Sequence, residues 1–173
     1  DYAWEESNIE DLLDDIEFVY EQNEKSNNQK LNHYFGTFVL EERGSTEPND
    51  FEEYDLFGIV DGQQRLATIA IVISAIVDEM AKIESSSEVN KKISYKINDR
   101  IEDIKQKYIQ YEGTERVKLG GLAEEAYNDI ILEGIAPEEY LQKNDTVETE
   151  DKVANAKHTV RKRLINWQRQ RFT

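Results

Sequence analysis

Cysteine is absent from the 173 residues, which removes disulfide frameworks, thiolate nucleophiles and cysteine-based zinc sites together. Proline occurs twice, and so does histidine. His33 and His158 lie far apart in the chain, so no His–His metal pair is visible, and each reads as a solvated side chain. Long apolar runs are missing as well. The longest, Leu66 to Val77, is interrupted by Thr68 and Ser74 and falls short of the roughly 20 residues that a membrane-spanning helix requires. No positively charged, apolar leader opens these residues, and the first is Asp rather than Met. A retained secretory signal is therefore not expected, and the residues read as beginning inside a longer gene product or after a removed segment. A reducing, cytoplasmic setting with no membrane partner is the expectation that fits.

Basic charge is also scarce, with 21 Lys and Arg against 37 Asp and Glu, a formal net charge of −16. Its distribution is uneven. Lys157, Arg161, Lys162, Arg163, Arg169 and Arg171 crowd the last stretch, where no acidic residue occurs after Asn155, which leaves 15 basic against 37 acidic residues elsewhere. Phosphate backbones are repelled by most of such a surface, so a broad nucleic-acid groove is not expected. The basic 157–171 helix is the one place in these residues where DNA contact is anticipated.

What is present suffices for one domain. Hydrophobic residues make up 38% of the chain and aromatics 10%, enough for a core despite the charge. Ile9, Leu12, Leu13, Ile16 and Tyr20 follow a Ser7/Glu10 capping-box pair at helical intervals and predict a helix over Ser7 to Gln22. The polar run Asn23 to Asn32 reads as a loop. Tyr34 to Leu40 and Leu56 to Val60 predict two strands that pair, joined by a long, exposed, acidic connection, Glu41 to Asp55. After Val60, the apolar run LATIAIVISAIVDEMAKI is too long for a strand and predicts a buried helix, despite β-branched residues that lose rotamer freedom there. Further helices are expected over Ile93 to Tyr111, Leu122 to Leu132 and Glu150 to Arg169, with a short strand at Arg116 to Leu119, a turn at Gly120-Gly121 and a linker over Glu133 to Thr149. The chain then divides into a domain over 1–135 and a linker plus terminal helix over 136–173 that leads to a downstream region.

The segment that invites a chemical reading is Asp61-Gly62-Gln63-Gln64-Arg65, between a strand and a helix. That arrangement presents unpaired backbone N–H groups and the positive end of the helix dipole to an anion. Gly62 permits torsions or a close approach that a side chain blocks. Arg65 supplies a forked, permanent cation suited to phosphate oxygens. Gln63 and Gln64 can orient water or a ribose, and Asp61 can hold a divalent cation against phosphates or polarise a nucleophile. Residue types alone leave a plainer alternative open, since Asp-Gly is a common turn dipeptide and the rest can simply decorate a helix start.

The string Ile59 to Thr68 closely resembles the DGQQRLTT signature of the N-terminal domain of GmrSD-type modification-dependent restriction enzymes, a group related to the ParB and sulfiredoxin fold. Three more stretches agree in order. Tyr2-Ala3-Trp4 with Leu12 to Ile16 is similar to the family's YxW…LLxDI opening, Tyr34 to Leu40 to its YFLGxIVL strand, and Arg116 to Leu119 to its RLKL segment. The resemblance implies an α+β fold with a small mixed sheet and surrounding helices, NTP binding, and hydrolysis coupled to DNA cleavage by a downstream nuclease domain. By motif matching, Asp61, Gln64 and Arg65 are its catalytic positions. Gly62, Gln63, Gln64, Arg65 and Thr68 would bind the nucleotide, and Asp61 is the candidate Mg²⁺ ligand. Ala67 departs from the family, standing where the first Thr of LTT is usual, and the PxYQR segment that precedes YxW in the family does not occur in these residues. Oligomerisation stays open. Two other readings compete: a DNA nuclease acting through the same motif, and a non-catalytic regulatory or interaction module.

Several remaining residues carry two readings. Asp11, Asp14 and Asp15 can offer oxygens to a metal or simply favour the first helix's N-terminal half. Tyr2 and Trp4 can stack on a base or anchor the N-terminal segment in the core. Trp167, beside arginines, can join a nucleic-acid contact or pack as part of an amphipathic helix.

Overall fold

In the computed structural model, which describes residues 2–26, 30–49, 52–86, 90–144 and 151–171, the other helices gather around a central pair of packed helices. Chain order gives α1 (Glu6–Lys25), β1 (Val39–Asn49), β2 (Glu52–Asp61), α2 (Gln63–Glu84), α3 (Lys91–Tyr108), β3 (Gln110–Tyr111), β4 (Thr114–Glu115), α4 (Ala123–Tyr127) continued by a π turn (Asn128–Leu132), α5 (Pro137–Asn144) and α6 (Lys152–Arg171). This is an α+β protein, as expected. Among the described residues the sheets are two antiparallel pairs, β1–β2 and β3–β4, in place of a mixed sheet.

The apolar run after Val60 forms the 22-residue α2, and it is buried almost all round, through Ala67, Ala70, Ile71, Val72, Ala75 and Val77 among others. Burial explains why β-branched residues are tolerated there. Each fully buried Ile or Val contributes roughly 1.5–3 kcal/mol, more than the rotamer freedom it loses. α2 packs directly against α6, where Ala154 and Ala156 are fully buried. The same cluster takes in Tyr2 and Ile9 from the start of the chain, Ile109 and Val117 from its middle, and Tyr127 and Ile130 from the α4 turn.

α6 also places a lysine inside the protein. Lys157 is 0% exposed and its ammonium donates to Asp78 Oδ2 at 2.8 Å, to Ser74 Oγ at 3.0 Å and to the Ile130 carbonyl at 2.8 Å. Three partners match its three N–H donors, the condition under which a buried charge is tolerated. Burial pulls its pKa below the ordinary lysine value, against the upward pull of Asp78.

Six segments depart from the sequence reading. The first helix begins at Glu6, and its cap is made by Asn8, whose side chain accepts from the Glu5 amide at 3.0 Å, so Ser7 and Glu10 do not form the box. The stretch expected as an exposed connection, Glu41 to Asp55, instead supplies most of a hairpin, with Leu40 opposite Ile59, Glu42 opposite Phe57 and Gly44 opposite Leu56. A backbone ladder satisfies peptide groups whatever the side chains are, so polar residues can form strands too. Residues 34–38 stay outside that sheet, because Gly36 turns the chain at φ +82° and the Phe35 and Thr37 carbonyls are taken by a side chain.

The helix expected to reach Tyr111 stops at Tyr108, and Glu112 (φ +47°) with Gly113 (φ +82°) makes a left-handed turn between β3 and β4. Left-handed torsions at both central residues suit a two-residue hairpin. Arg116 to Leu119 follows as irregular chain instead of a strand, with Val117 buried. The linker expected over Glu133 to Thr149 contains α5, where Pro137 takes the first helical position and Tyr140 packs into the core; residues 145–149 lie outside the described residues. Proline there costs no hydrogen bond, since its N–H would be unpaired anyway.

Two outcomes follow for stability. Lys157→Ala, which strands Asp78 beside an emptied pocket, lowers the unfolding free energy by about 3 kcal/mol or more in urea titrations. Glu138 on α5 meets Arg161 and His158 of α6. Burial pushes its carboxyl up, but its own backbone amide, Arg161 and the His158 hydrogen bond outweigh that and hold it below its usual 4.5. Its contribution is therefore present above pH 4.5 and lost as pH falls through the lowered value. Thermal melts against pH should show a shallower acid limb in Glu138→Gln than in the parent.

Candidate functional site

β2 ends at Asp61, Gly62 turns the chain at φ +93°, and α2 begins with Gln63. The first intrahelical bond runs from the Leu66 amide to the Gly62 carbonyl at 3.0 Å, so the amides of Gln63, Gln64 and Arg65 have no helical acceptor, and Gly62 has no side chain to cap them. Val60 through Arg65, together with Trp4, line a cleft of about 380 Å³ at this point. A second cavity, of about 520 Å³, opens on the far side of Gln63, between the hairpin and Arg116 to Leu119. The structure therefore brings Asp61, Gly62, Gln63, Gln64 and Arg65 together on one cleft.

Gly62 is required twice over. Its left-handed torsion strains any L side chain, and an added Cβ would stand 2.6 Å from Cδ1 of Phe38. The close approach foreseen at this glycine is thus made by the protein's own aromatic ring.

Arg65 is held from within. Its Nη1 donates to the Phe35 carbonyl at 2.9 Å, and its Nη2 to the Thr37 carbonyl at 2.9 Å and to Asp61 Oδ2 at 3.2 Å. These bonds engage three of the five guanidinium N–H groups. The guanidinium also lies 5.4 Å from the Phe38 ring centre, within cation–π range. Arg65 is 28% and Asp61 66% exposed, so the ion pair adds little stability by itself, and its carboxylate stays open to the cleft. At Gly36 an added Cβ would fall 1.7 Å from Arg65 Nη1. The 35–38 segment is a part of this site that the sequence reading does not include; the signal that marks it is a glycine inside a run of aromatic and β-branched residues.

The two glutamines and Thr68 divide their tasks. Gln63 Nε2 reaches back to the Ile59 carbonyl at 2.5 Å, bracing the turn. Gln64 Oε1 accepts from the Ala3 amide at 2.7 Å. Thr68 is fully buried, donates to the Gln64 carbonyl at 2.9 Å and meets the Tyr2 hydroxyl at 2.8 Å. It lies behind the cleft and does not line it. Burial pushes the Tyr2 phenol up to about 12, against the opposing Thr68 bond, so it stays protonated and donates to Thr68. Ala67 is in the core cluster, so the hydroxyl that the family has at this position would also point away from the cleft.

Elsewhere, the anticipated anion-binding charge of α6 is largely engaged inside the protein. Besides the buried Lys157, Arg161 pairs with Glu138 at 3.2 Å, and Arg163 donates to Glu17 at 2.8 Å and also pairs with Asp14. Arg171 stacks over the Tyr20 and Trp167 rings at 4.7 and 4.5 Å. The helix packs its Trp edge-on against Tyr20, in line with the amphipathic-helix alternative for Trp167. Among the described residues no group of three or more His, Asp and Glu side chains comes together to hold a metal, the α1 aspartates included, and no helix is long and apolar enough to cross a membrane.

A family model described as the N-terminal domain of GmrSD restriction endonucleases matches residues 1–170. No curated protein and no solved structure matches the chain.

Gly44 provides an internal control for Gly62, since it is also left-handed (φ +92°) but has nothing within 4 Å of an added Cβ. Alanine at either site strains the backbone by about 1–3 kcal/mol. Gly62→Ala should lower the melting temperature clearly more than Gly44→Ala, because only there must Phe38 also move; equal losses would show that Phe38 does not press on the turn.

Proposed function

We propose that this chain, which belongs to the family of GmrSD restriction endonuclease N-terminal domains, binds a nucleoside triphosphate at the Asp61–Arg65 turn and hydrolyses it to control DNA cleavage within a restriction and phage-defence system. The observation that carries the reading is the coincidence of a helix start, a cation and an exposed carboxylate on one cleft of about 380 Å³. The cleft is of a size that holds small ligands.

The amides of Gln63, Gln64 and Arg65 and the dipole behind them receive the phosphate oxygens, with no reorganisation because the turn is already braced. Arg65 adds its remaining N–H groups and its charge, while its bonds to Phe35 and Thr37 hold the guanidinium in place. Gln64, tethered through Ala3, orients the attacking water. Asp61 acts on that water either as the base that accepts its proton or through a bound Mg²⁺. Thr68 contributes from behind by fixing the Gln64 backbone.

A lone exposed carboxylate suits Mg²⁺, which is commonly held by one or two carboxylates with waters and substrate phosphates completing its shell. Asp61 is the residue that would hold it, and when bound the ion supplies charge neutralisation on the phosphates. DNA contact is assigned to a downstream domain in preference to α6, whose Lys157, Arg161 and Arg163 are engaged with Asp78, Glu138, Asp14 and Glu17. The same engagement weighs against direct DNA cleavage by this motif. A second reading, a regulatory pocket that binds nucleotide without hydrolysis, draws on the three internal bonds of Arg65.

Nucleotide at a hundredfold excess over Kd stabilises a binding-competent fold by about 2.7 kcal/mol. Arg65→Ala should abolish the ligand-induced part of the thermal shift, measured relative to its own ligand-free melt, and Asp61→Asn should keep the shift but lose phosphate release. An undiminished shift in Arg65→Ala would remove the turn from nucleotide binding. Full phosphate release by Asp61→Asn would take the proton-accepting role from Asp61.

A further inference from the structure

The turn supplies contacts for phosphate but nothing that reads a base. What faces it across the cleft is Trp4. The segment Tyr2 to Trp4 is laid over the first turns of α2 and fastened there, by the Tyr2 hydroxyl on Thr68 at 2.8 Å and by the Ala3 amide on Gln64 Oε1 at 2.7 Å. Beyond Trp4 the chain enters α1, where Glu5 pairs with Lys152 of α6. Held on both sides, Trp4 packs part of its surface against the core cluster and lends the rest to the wall of the cleft, beside Val60 and the turn. An indole backed by a packed core is a rigid, flat, apolar surface. It stacks on a planar heterocycle without losing side-chain freedom on binding.

We propose that Trp4 is the stacking wall for the nucleobase, so that the cleft selects a nucleotide over a bare polyphosphate. The proposal rests on the nucleotide reading above and assigns a specificity-determining residue to the same site. The physical division is simple: amides and guanidinium recognise charge and cannot tell a nucleoside triphosphate from tripolyphosphate, whereas the indole contacts only the part that differs. Stacking of this kind tolerates any base, because each has a π face. Trp4 therefore favours nucleotides as a class, and discrimination among bases falls to polar groups around it.

The test is calorimetric titration of the full chain with ATP, GTP and tripolyphosphate, in the parent and in Trp4→Phe, Trp4→Leu and Trp4→Ala. Expected is a loss of about 5- to 100-fold in nucleotide affinity for Trp4→Ala and Trp4→Leu, unchanged tripolyphosphate affinity, and near-parental behaviour in Trp4→Phe. Trp4→Leu keeps an apolar anchor for the segment, so it reports on stacking even where Trp4→Ala unfolds. In a Trp167→Phe background, where Trp4 is the remaining indole, ATP should quench fluorescence and tripolyphosphate should not. Unchanged nucleotide affinity in Trp4→Leu, or equal losses for both ligands, overturns the stacking role while leaving the phosphate site standing. Absence of any nucleotide binding by the parent chain overturns the nucleotide reading, and this one with it.

Discussion

The Arg65 guanidinium is the fastening on which the local architecture depends. It joins two segments 28 to 30 residues apart in sequence, taking the Phe35 and Thr37 carbonyls and the Asp61 carboxylate at once. Those carbonyls would otherwise need a neighbouring strand or water. Their capture leaves residues 34–38 as a fixed irregular arm, with Phe38 seated against Gly62 and below the guanidinium. Two glycines make the fit achievable, since a methyl group at Gly36 or at Gly62 would occupy space that Arg65 or Phe38 already fills. A residue type suited to gripping phosphate thus serves as a structural bracket, and the bracket uses three of its five N–H donors.

Charge is organised by the same economy of partners. The acidic excess of the chain would repel nucleic acid, and the one basic stretch resolves into individual pairs: Lys157 with Asp78, Arg161 with Glu138, Arg163 with Asp14 and Glu17. These pairs dock α6 onto α1, α2 and α5. Hydrogen bonding to Glu17 and Asp14 raises the pKa of Arg163 further, so it stays charged throughout. Half of the cations in this run therefore join a seam between helices, and the local positive field that would attract a phosphate backbone is reduced where they pair.

Periodicity and local chemistry carry much of the fold. The spacing of Ile9, Leu12 and Leu13 announces α1, the length of the apolar run after Val60 announces α2, and Asp61-Gly62 announces the turn between strand and helix. The extent of the hairpin is not legible because Glu41 to Asp55 is rich in acids and turn-forming residues with no apolar alternation in sequence, so nothing distinguishes strand from loop. α5 is hidden because one buried Tyr and a Pro at the helix start leave too weak a pattern over eight residues. The family signature in Ile59 to Thr68 is legible letter by letter, and the match over residues 1–170 agrees with it.

What the amino-acid order determined alone is whatever depends on neighbours in the chain: helix phase, the left-handed turn that only glycine makes without strain, and the juxtaposition of Asp61 with Arg65 four residues on. Only the tertiary structure decided which of the motif's side chains face the cleft. Thr68 was turned into the core and Trp4 was brought up as a wall, because both outcomes depend on the N-terminal segment crossing α2, a contact between residues more than 60 positions apart. Such contacts are selected by packing and by pairing of buried polar groups, and neither leaves a local trace in sequence.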